Sequence, residues 1–279
     1  SIRRTGRATA ALIACAAAAT VVAMNMPASA APTARQWAPA ASAKVHPGVQ
    51  TNSPTGQCTA NFVFTDSKGN TYIGQAAHCT STGGSSDTNG CTTGSMPLGT
   101  PVQVDGAATP GTMVYNSWLT MQAAGASGDA LCYGNDLALI KLDPADAANV
   151  NPSIPVWGGP VGINTSGSPA GDAVYTYGNS SLRFGLTETS PKQGYSLGDD
   201  YDGWSHTMYT VTPGIPGDSG SAILDSSGRA LGVLSTITLA PLAASNNASD
   251  IGRDLTYMHN HAPEFSSVQL ALGTEPFAG

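Results

Sequence analysis

The sequence predicts an all-β protein made of two β units, with one short helix near the C-terminal end. Two observations carry this reading. Short apolar runs recur between clusters of Gly, Asn, Asp and Pro, the spacing of strands joined by turns. A Pro- and Ala-rich connection over residues 143–160 then divides these runs into two sets. With 279 residues the chain can hold one large core or two small ones. Its charged fraction of 10%, far below the roughly 25% usual for soluble domains, excludes a disordered polyelectrolyte.

Residues 1–30 read as a secretory signal. Arg3, Arg4 and Arg7 make a basic start, residues 8–24 are mostly apolar, and Ala28-Ser29-Ala30 is a small-residue cleavage site. The apolar run is shorter than the ~20 residues of a spanning helix and no second run follows, so no membrane span is expected. Leu12-Ile13-Ala14-Cys15 resembles a lipoprotein processing box, yet the chain stays apolar past Cys15, where a lipoprotein would turn polar. Arg3-Arg4 lacks the apolar partners of a twin-arginine signal.

Residues 31–55 are rich in Ala, Pro, Ser and Thr without periodicity, and read as a leader or pro-segment. The main domain is expected over residues 56–279. In its first unit, about residues 56–145, strands are predicted at 60–64, 72–76, 102–104, 112–115 and 137–142. Asp66-Ser67-Lys68-Gly69-Asn70 is the turn between the first two. In the second unit, about residues 161–279, strands are predicted at 173–177, 207–211, 222–224 and 230–235. A helix over 251–259 and a last strand at 268–272 follow. No internal repeat is visible.

Formal net charge is −7, and three of the eleven basic residues lie in the first seven positions. An acidic chain without a basic stripe does not suit nucleic acid, whose binding rests on phosphate neutralisation by Lys and Arg. Removing the signal takes Cys15 and leaves Cys58, Cys79, Cys91 and Cys132, an even number in an exported chain. Four cysteines allow three pairings. Cys58 and Cys79 flank the predicted hairpin, which favours that pair and leaves Cys91 with Cys132. No Cys-x-x-Cys or paired-His spacing suggests zinc, and neither metal nor cofactor is expected.

Three stretches carry chemistry: Ala76-Ala77-His78-Cys79, then Asn135-Asp136-Leu137-Ala138-Leu139, then Pro216-Gly217-Asp218-Ser219-Gly220-Ser221. A serine hydroxyl is a weak nucleophile at neutral pH. It needs an imidazole to take its proton and a carboxylate to hold that imidazole in the right tautomer. Taken singly, each stretch is ordinary: Gly-Asp-Ser-Gly suits a surface turn, and Asn-Asp suits a strand entry. Together, in the order His, Asp, Ser, they resemble the chymotrypsin-like serine proteases, particularly secreted bacterial members such as the streptogrisins.

That resemblance runs from about Cys58 to Ile237 and implies two six-stranded antiparallel β-barrels with the reacting groups between them. It implies His78 as general base with Cys79 tied to Cys58, Asp136 as its orienting carboxylate and Ser219 as nucleophile. The N–H groups of Gly217 and Ser219 would form the oxyanion hole. Ser235 matches the family serine that bonds the aspartate and pairs with substrate backbone. The function implied is that of a secreted serine endopeptidase, expected as a monomer acting on protein or peptide substrates. The alternatives are a catalytically silent protease-fold binding protein and a secreted β-sandwich adhesin.

The chain also departs from the family. Ser221 stands where Gly is usual, and no cysteines flank Ser219 to staple a specificity pocket. By resemblance the pocket floor is Pro213, six residues before Ser219. It is not an aspartate, so cleavage after Arg or Lys is not expected. Leu234 stands where glutamate-selective relatives carry histidine. Thr236 and Ile237 replace an aromatic residue and a glycine of the pocket wall, which points to small or medium apolar residues. In the family the Asp218 carboxylate pairs with a freed N-terminal ammonium or an internal arginine. Val45 after Lys44 lies only thirteen positions before Cys58, and Arg183 is the expected partner. Asp199, Asp200 and Asp202 offer hard oxygen ligands for calcium, but no regular ligand spacing continues from them and a solvated loop fits better. His46, His206, His259 and His261 are read as surface or packing residues.

Overall fold

The computed structural model describes residues 35–238 and 242–279. The expected signal at 1–30 and the first four residues of the expected leader lie outside them. Over the first half, β1 (Gln50–Ser53) and β2 (Gly56–Thr59) form a hairpin. A second hairpin joins β3 (Val63–Thr65) to β4 (Thr71–Gln75). Its turn is the predicted one: the Asp66 carboxylate accepts from the N–H groups of Lys68 (3.0 Å) and Asn70 (2.9 Å), which closes the loop locally. Then come β5 (Pro101–Val104), β6 (Gly111–Asn116), helices α1 (Ser117–Ala123) and α2 (Asp129–Gly134), β7 (Ala138–Lys141) and the short helix α3 (Pro144–Ala147). The second half holds β8 (Ala173–Tyr177), β9 (Pro191–Asp200), β10 (Ser205–Thr210), β11 (Ala222–Leu224), β12 (Ala230–Thr238) and β13 (Ser245–Asp250). Helix α4 (Ile251–His261) and β14 (Gln269–Leu270) end it.

The second half closes into the expected six-stranded barrel, in the order β10-β13-β12-β11-β8-β9. The first does not close. It is a curled eight-stranded sheet in the order β14-β3-β4-β7-β6-β5-β1-β2. Its β2 edge is taken by the second barrel instead, since Thr59 N–H donates to Ser219 C=O (2.8 Å). The last strand also belongs here rather than to the second unit, because Gln269 and Leu270 pair with Thr65 and Phe64 of β3. A sandwich of two open sheets, the adhesin alternative, does not describe this arrangement.

The folded part begins earlier than residue 56. Val45 is fully buried and bridges Val150, while Thr51 and Asn52 of β1 pair with Val104 and Gln103. The sequence gives little sign of this, since β1 reads Gln-Thr-Asn-Ser and has no apolar member. β13 escaped for the same reason: all six residues of Ser-Asn-Asn-Ala-Ser-Asp are buried, and only one is apolar.

One apolar cluster spans both halves, from Phe62, Tyr72 and Tyr115 through Ala222 and Val233 to Leu255, Met258 and Phe265. Phe265 meets Tyr72 and Tyr115 edge-on at 6.3 and 5.8 Å, which fastens the chain end after α4 onto the first sheet. Each such ring contributes about 1.5–3 kcal/mol by burial. No helix among the described residues is long and apolar enough to cross a membrane.

Candidate active site

Asp136 is held from several sides. Just after α2, it enters β7 with its flanking backbone clamped by Ser117, whose Oγ donates to Asn135 C=O and accepts from Leu137 N–H (both 3.1 Å). Its carboxylate is buried and accepts three hydrogen bonds: from His78 N–H (2.9 Å), from His78 Nδ1 (2.7 Å) and from Ser235 Oγ of β12. Burial alone would raise its pKa, but the His78 charge and these donors outweigh it and hold the group below the ordinary carboxylate value.

His78 sits in a single 3-10 turn, Ala77–Thr80, that follows β4. Asn116 caps α1 through Oδ1 and also donates from Nδ2 to Ala77 C=O (3.1 Å), tying this turn to the first sheet. The disulfide Cys58–Cys79 anchors the residue next to His78 to β2, and Cys91–Cys132 joins the next loop to α2. Both pairings are those the hairpin argument favours. The Cys58 and Cys79 sulfurs lie beside the His78 ring, but bonding to each other leaves neither as a metal ligand. An ionised carboxylate only accepts, so Nδ1 carries the ring proton and the Nε2 lone pair is left for the cleft. Burial pulls the His78 pKa down, yet the charge and hydrogen bond of Asp136 prevail and raise it above the ordinary imidazole value.

Ser219 comes from the second barrel, in the loop before β11. Together with His78, Asp136 and Ser235 it lines a cleft of about 750 Å³. Ser219 Oγ and His78 Nε2 have no hydrogen-bond partner among the described residues, and both residues line this space. Catalytic hydrogen bonds are commonly long before substrate binds.

Around Ser219 the backbone is turned in one sense. Pro216 C=O accepts from Ser180 Oγ (2.5 Å), Gly217 C=O from Thr59 Oγ1 (2.8 Å), and Asp218 C=O from Ser221 N–H (3.1 Å). A trans peptide points its N–H opposite to its C=O. The N–H groups of Gly217 and Ser219, in the peptides of the Pro216 and Asp218 carbonyls, are therefore turned away from the donors Ser180 Oγ and Ser221 N–H, and neither donates to a protein group among the described residues. Gly217 has φ +97°, and a Cβ there would lie 2.4 Å from Gln57 Oε1, so this turn requires glycine.

Beneath it, Asp218 is wholly buried. Arg183 grips both of its carboxylate oxygens, and Lys192 Nζ lies 3.1 Å away. Burial opposes ionisation, but the Arg183 hydrogen bonds, the Lys192 charge and the Ile215 N–H hold the pKa below its ordinary value. The expected Arg183 partner is thus present. Lys192 is an addition that no motif signals. The alternative that the spacing disfavours, a new terminus at Val45, is occupied otherwise: Val45 N–H donates to Asn149 C=O (3.2 Å).

One sequence reading requires correction. Pro213 does not line the cleft; its neighbours Gly214, Ile215 and Pro216 do, as do Leu234, Thr236, Ile237, Asn246 and Asn247. Of the two readings of His206, surface or packing, burial supports packing: it is fully buried, with Nδ1 2.7 Å from Asp199 and Nε2 2.9 Å from Asp250. Asp199, Asp200 and Asp202 form no common ligand set among the described residues. Asp199 serves His206 and Ser168 N–H, and Asp200 caps Tyr201 N–H. Thr59 and Gln57 of β2 also fix the Ser219 loop, by donating to Gly217 C=O, and no motif signals them.

No protein-family model matches the chain, and no curated protein matches its sequence. Among solved structures, protease A of Thermobifida fusca superposes with a TM-score of 0.50 at 17% identity, covering 82% of this chain and 99% of that one. A Glu endopeptidase gives the same score and identity over 76% and 89%. The fold is that of the bacterial chymotrypsin-like serine proteases. At this identity the likeness shows a shared fold, and the chain's chemistry has to be argued from its own side chains.

Proposed function

We propose that the chain is a secreted serine endopeptidase that hydrolyses peptide bonds through an acyl-enzyme. The observation that carries this is the placement of His78 between a buried, triply bonded Asp136 and an open cleft shared with Ser219. Ser219 Oγ attacks the substrate carbonyl carbon as its proton passes to His78 Nε2. The N–H groups of Gly217 and Ser219 hold the oxygen that becomes negative. His78 then gives the proton to the leaving amine as the C–N bond breaks, and water repeats the sequence on the ester. Asp136 keeps the tautomer and stabilises the imidazolium, and Ser235 pairs with substrate backbone.

The protein acts as a monomer and needs no metal or cofactor in this scheme. Two disulfides and the signal-like start support export. Gly214, Ile215, Leu234, Thr236, Ile237, Asn246 and Asn247 bring no charge to their part of the cleft, which supports cleavage after small or medium apolar residues. Burying an unpaired Arg, Lys or Glu there would cost several kcal/mol. Digestion of a diverse peptide library tests the reading. Hydrolysis by the wild type and none by Ser219→Ala is expected, and equal hydrolysis by both would overturn it.

A further inference from the structure

The pocket beside Ser219 lacks the cysteines that could staple it, and its sequence-assigned floor, Pro213, stands outside the cleft. Asn246 of β13 occupies both roles. Its Oδ1 accepts from Gly214 N–H (2.9 Å), on the wall before the nucleophile, and its Nδ2 donates to Thr236 C=O (3.3 Å), on the wall formed by β12. One partner can only donate and the other can only accept, so the orientation of the carboxamide is fixed. Gly214 admits this approach: a Cβ there would lie 3.0 Å from Asn246 Nδ2 and 3.0 Å from Leu234 Cδ2. The Asn246 side chain is itself nearly wholly buried, at 2% exposure.

Neighbouring groups hold the strut in place. Asn247, the next residue, is locked by Thr207 Oγ1 donating to its Oδ1 (2.8 Å). β13 is paired on both sides, with β12 and β10, so its backbone cannot withdraw to deepen the pocket. At the depth of the carboxamide one planar group bridges the two walls with a hydrogen bond at each end.

We propose that Asn246 is the specificity-determining residue of this site, closing the pocket as a polar strut and restricting the residue before the scissile bond to short uncharged side chains. This rests on the serine-endopeptidase reading and narrows it. Ala, Ser, Thr and Val fit above the strut, and Leu, Met, Phe and Tyr would have to displace it. A side chain that reaches the strut loses contact with one wall or breaks one of its two hydrogen bonds, and a buried amide left unpaired disfavours the bound state.

The test is a peptide series varied only at the residue before the cleaved bond, measured as kcat/KM for the wild type, Asn246→Ala and Asn246→Ser. Active sites are counted in each by a small serine-directed phosphonate. The wild type is expected to favour Ala, Ser, Thr or Val over Leu and Phe by tenfold or more. Asn246→Ala should raise Leu and Phe relative to Ala at least tenfold, with Asn246→Ser between the two. A wild type that prefers Leu, Phe or Tyr overturns the proposal whatever the variants do. Variants that take the label but keep the wild-type profile overturn it as well. Failure of the wild type to take the label at all sinks the hydrolase reading, a result distinct from either.

Discussion

Asp136 has no exposed edge, and each of its three donors does separate work. The His78 Nδ1 bond selects the tautomer, the His78 N–H bond fixes the turn that carries the ring, and the Ser235 bond spans to the second barrel. Asp136→Asn presents an N–H₂ group or a weaker acceptor to Nδ1, and turnover should fall by about 10⁴-fold with the fold intact. The pH profile carries the same information. A base must be neutral, and Asp136 holds His78 above the ordinary value, so activity should rise through a limb above ~6.5. In Asp136→Asn that limb should move to lower pH; an unmoved limb would count against His78 as the titrating base.

Arg183 gives a second prediction at this scale. Arg183 and Asp218 are both buried, so Arg183→Met leaves the carboxylate with Lys192 as its one cation, besides the N–H groups of Ser180 and Ile215. Loss of one partner in a buried pair costs about 3–5 kcal/mol, and the remaining Lys192 places this case at the lower end. The pKa of Asp218 is depressed in the folded protein, so the stabilisation is complete above the ordinary carboxylate value of ~4 and is lost as pH falls through the folded value. Urea unfolding should show wild type and variant far apart at pH 7 and converging in acid. A gap that persists in acid would assign the loss to packing instead.

Among single residues, legibility followed chemistry. His78, Asp136 and Ser219 stand in short stretches whose residue types have a recognisable joint use, and Arg183 could be reached once Asp218 needed a cation. Pro213 and Asn246 could not be resolved in the same way, because which of them closes the pocket depends on a three-strand register. His206 carries no local signal: its partners Asp199 and Asp250 lie 7 and 44 positions away.

Elements show the complementary pattern. Strands with apolar alternation were readable, and β8 and β11 coincide with their predicted ranges. Those whose buried residues are polar were not. β13 buries Ser, Asn and Asp because their side chains find partners: Asn246 the Gly214 N–H, Asn247 the Thr207 hydroxyl, Ser249 the Asp254 carboxylate (2.7 Å) and Asp250 the His206 ring. The Asp250 carboxylate also caps α4, accepting from Arg253 N–H (2.8 Å), so His206 links β9, β10 and the start of α4. Each of its ring nitrogens faces a carboxylate oxygen, an arrangement that suits the doubly protonated ring. Burial lowers the His206 pKa, but the hydrogen bonds and charges of Asp250 and Asp199 exceed that and raise it. Its contribution to stability is then full below ~6.5 and lost as pH rises through the folded value. His206→Gln should lower the thermal midpoint at pH 6 and do so progressively less toward pH 9. A pH-independent deficit would mean that His206 only fills space.

At the scale of the whole molecule, the two halves share hydrogen bonds around the candidate site as well as one apolar cluster. Thr59 and Gln57 reach from the first sheet to the Ser219 loop, and Ser235 reaches from the second barrel to Asp136. The second barrel closes as the resemblance implies, although β9 and β13 of its six strands were not legible from their own residues. The first does not close, because its edges are defined by partners remote in sequence: β14 at one end and the Ser219 loop at the other. Two consequences for the chain follow. A protein starting at Gly56 loses β1 and the Val45 bridge, and should fail to fold rather than gain activity. Circular dichroism of that truncation checks this, and native-like near-ultraviolet signal would contradict it. Because Arg183 and Lys192 already serve Asp218, no newly freed ammonium is needed to shape the Ser219 loop. A chain beginning near Ala31 should therefore be active as it stands.

The most direct measurement is covalent labelling of such a chain with a serine-directed phosphonate, followed by peptide mapping by mass spectrometry. The account predicts one added group per chain, on the peptide carrying Ser219, formed faster as pH rises from 5 to 8 and abolished by His78→Ala. Absence of label on the folded protein, or label on a serine other than Ser219, would contradict it.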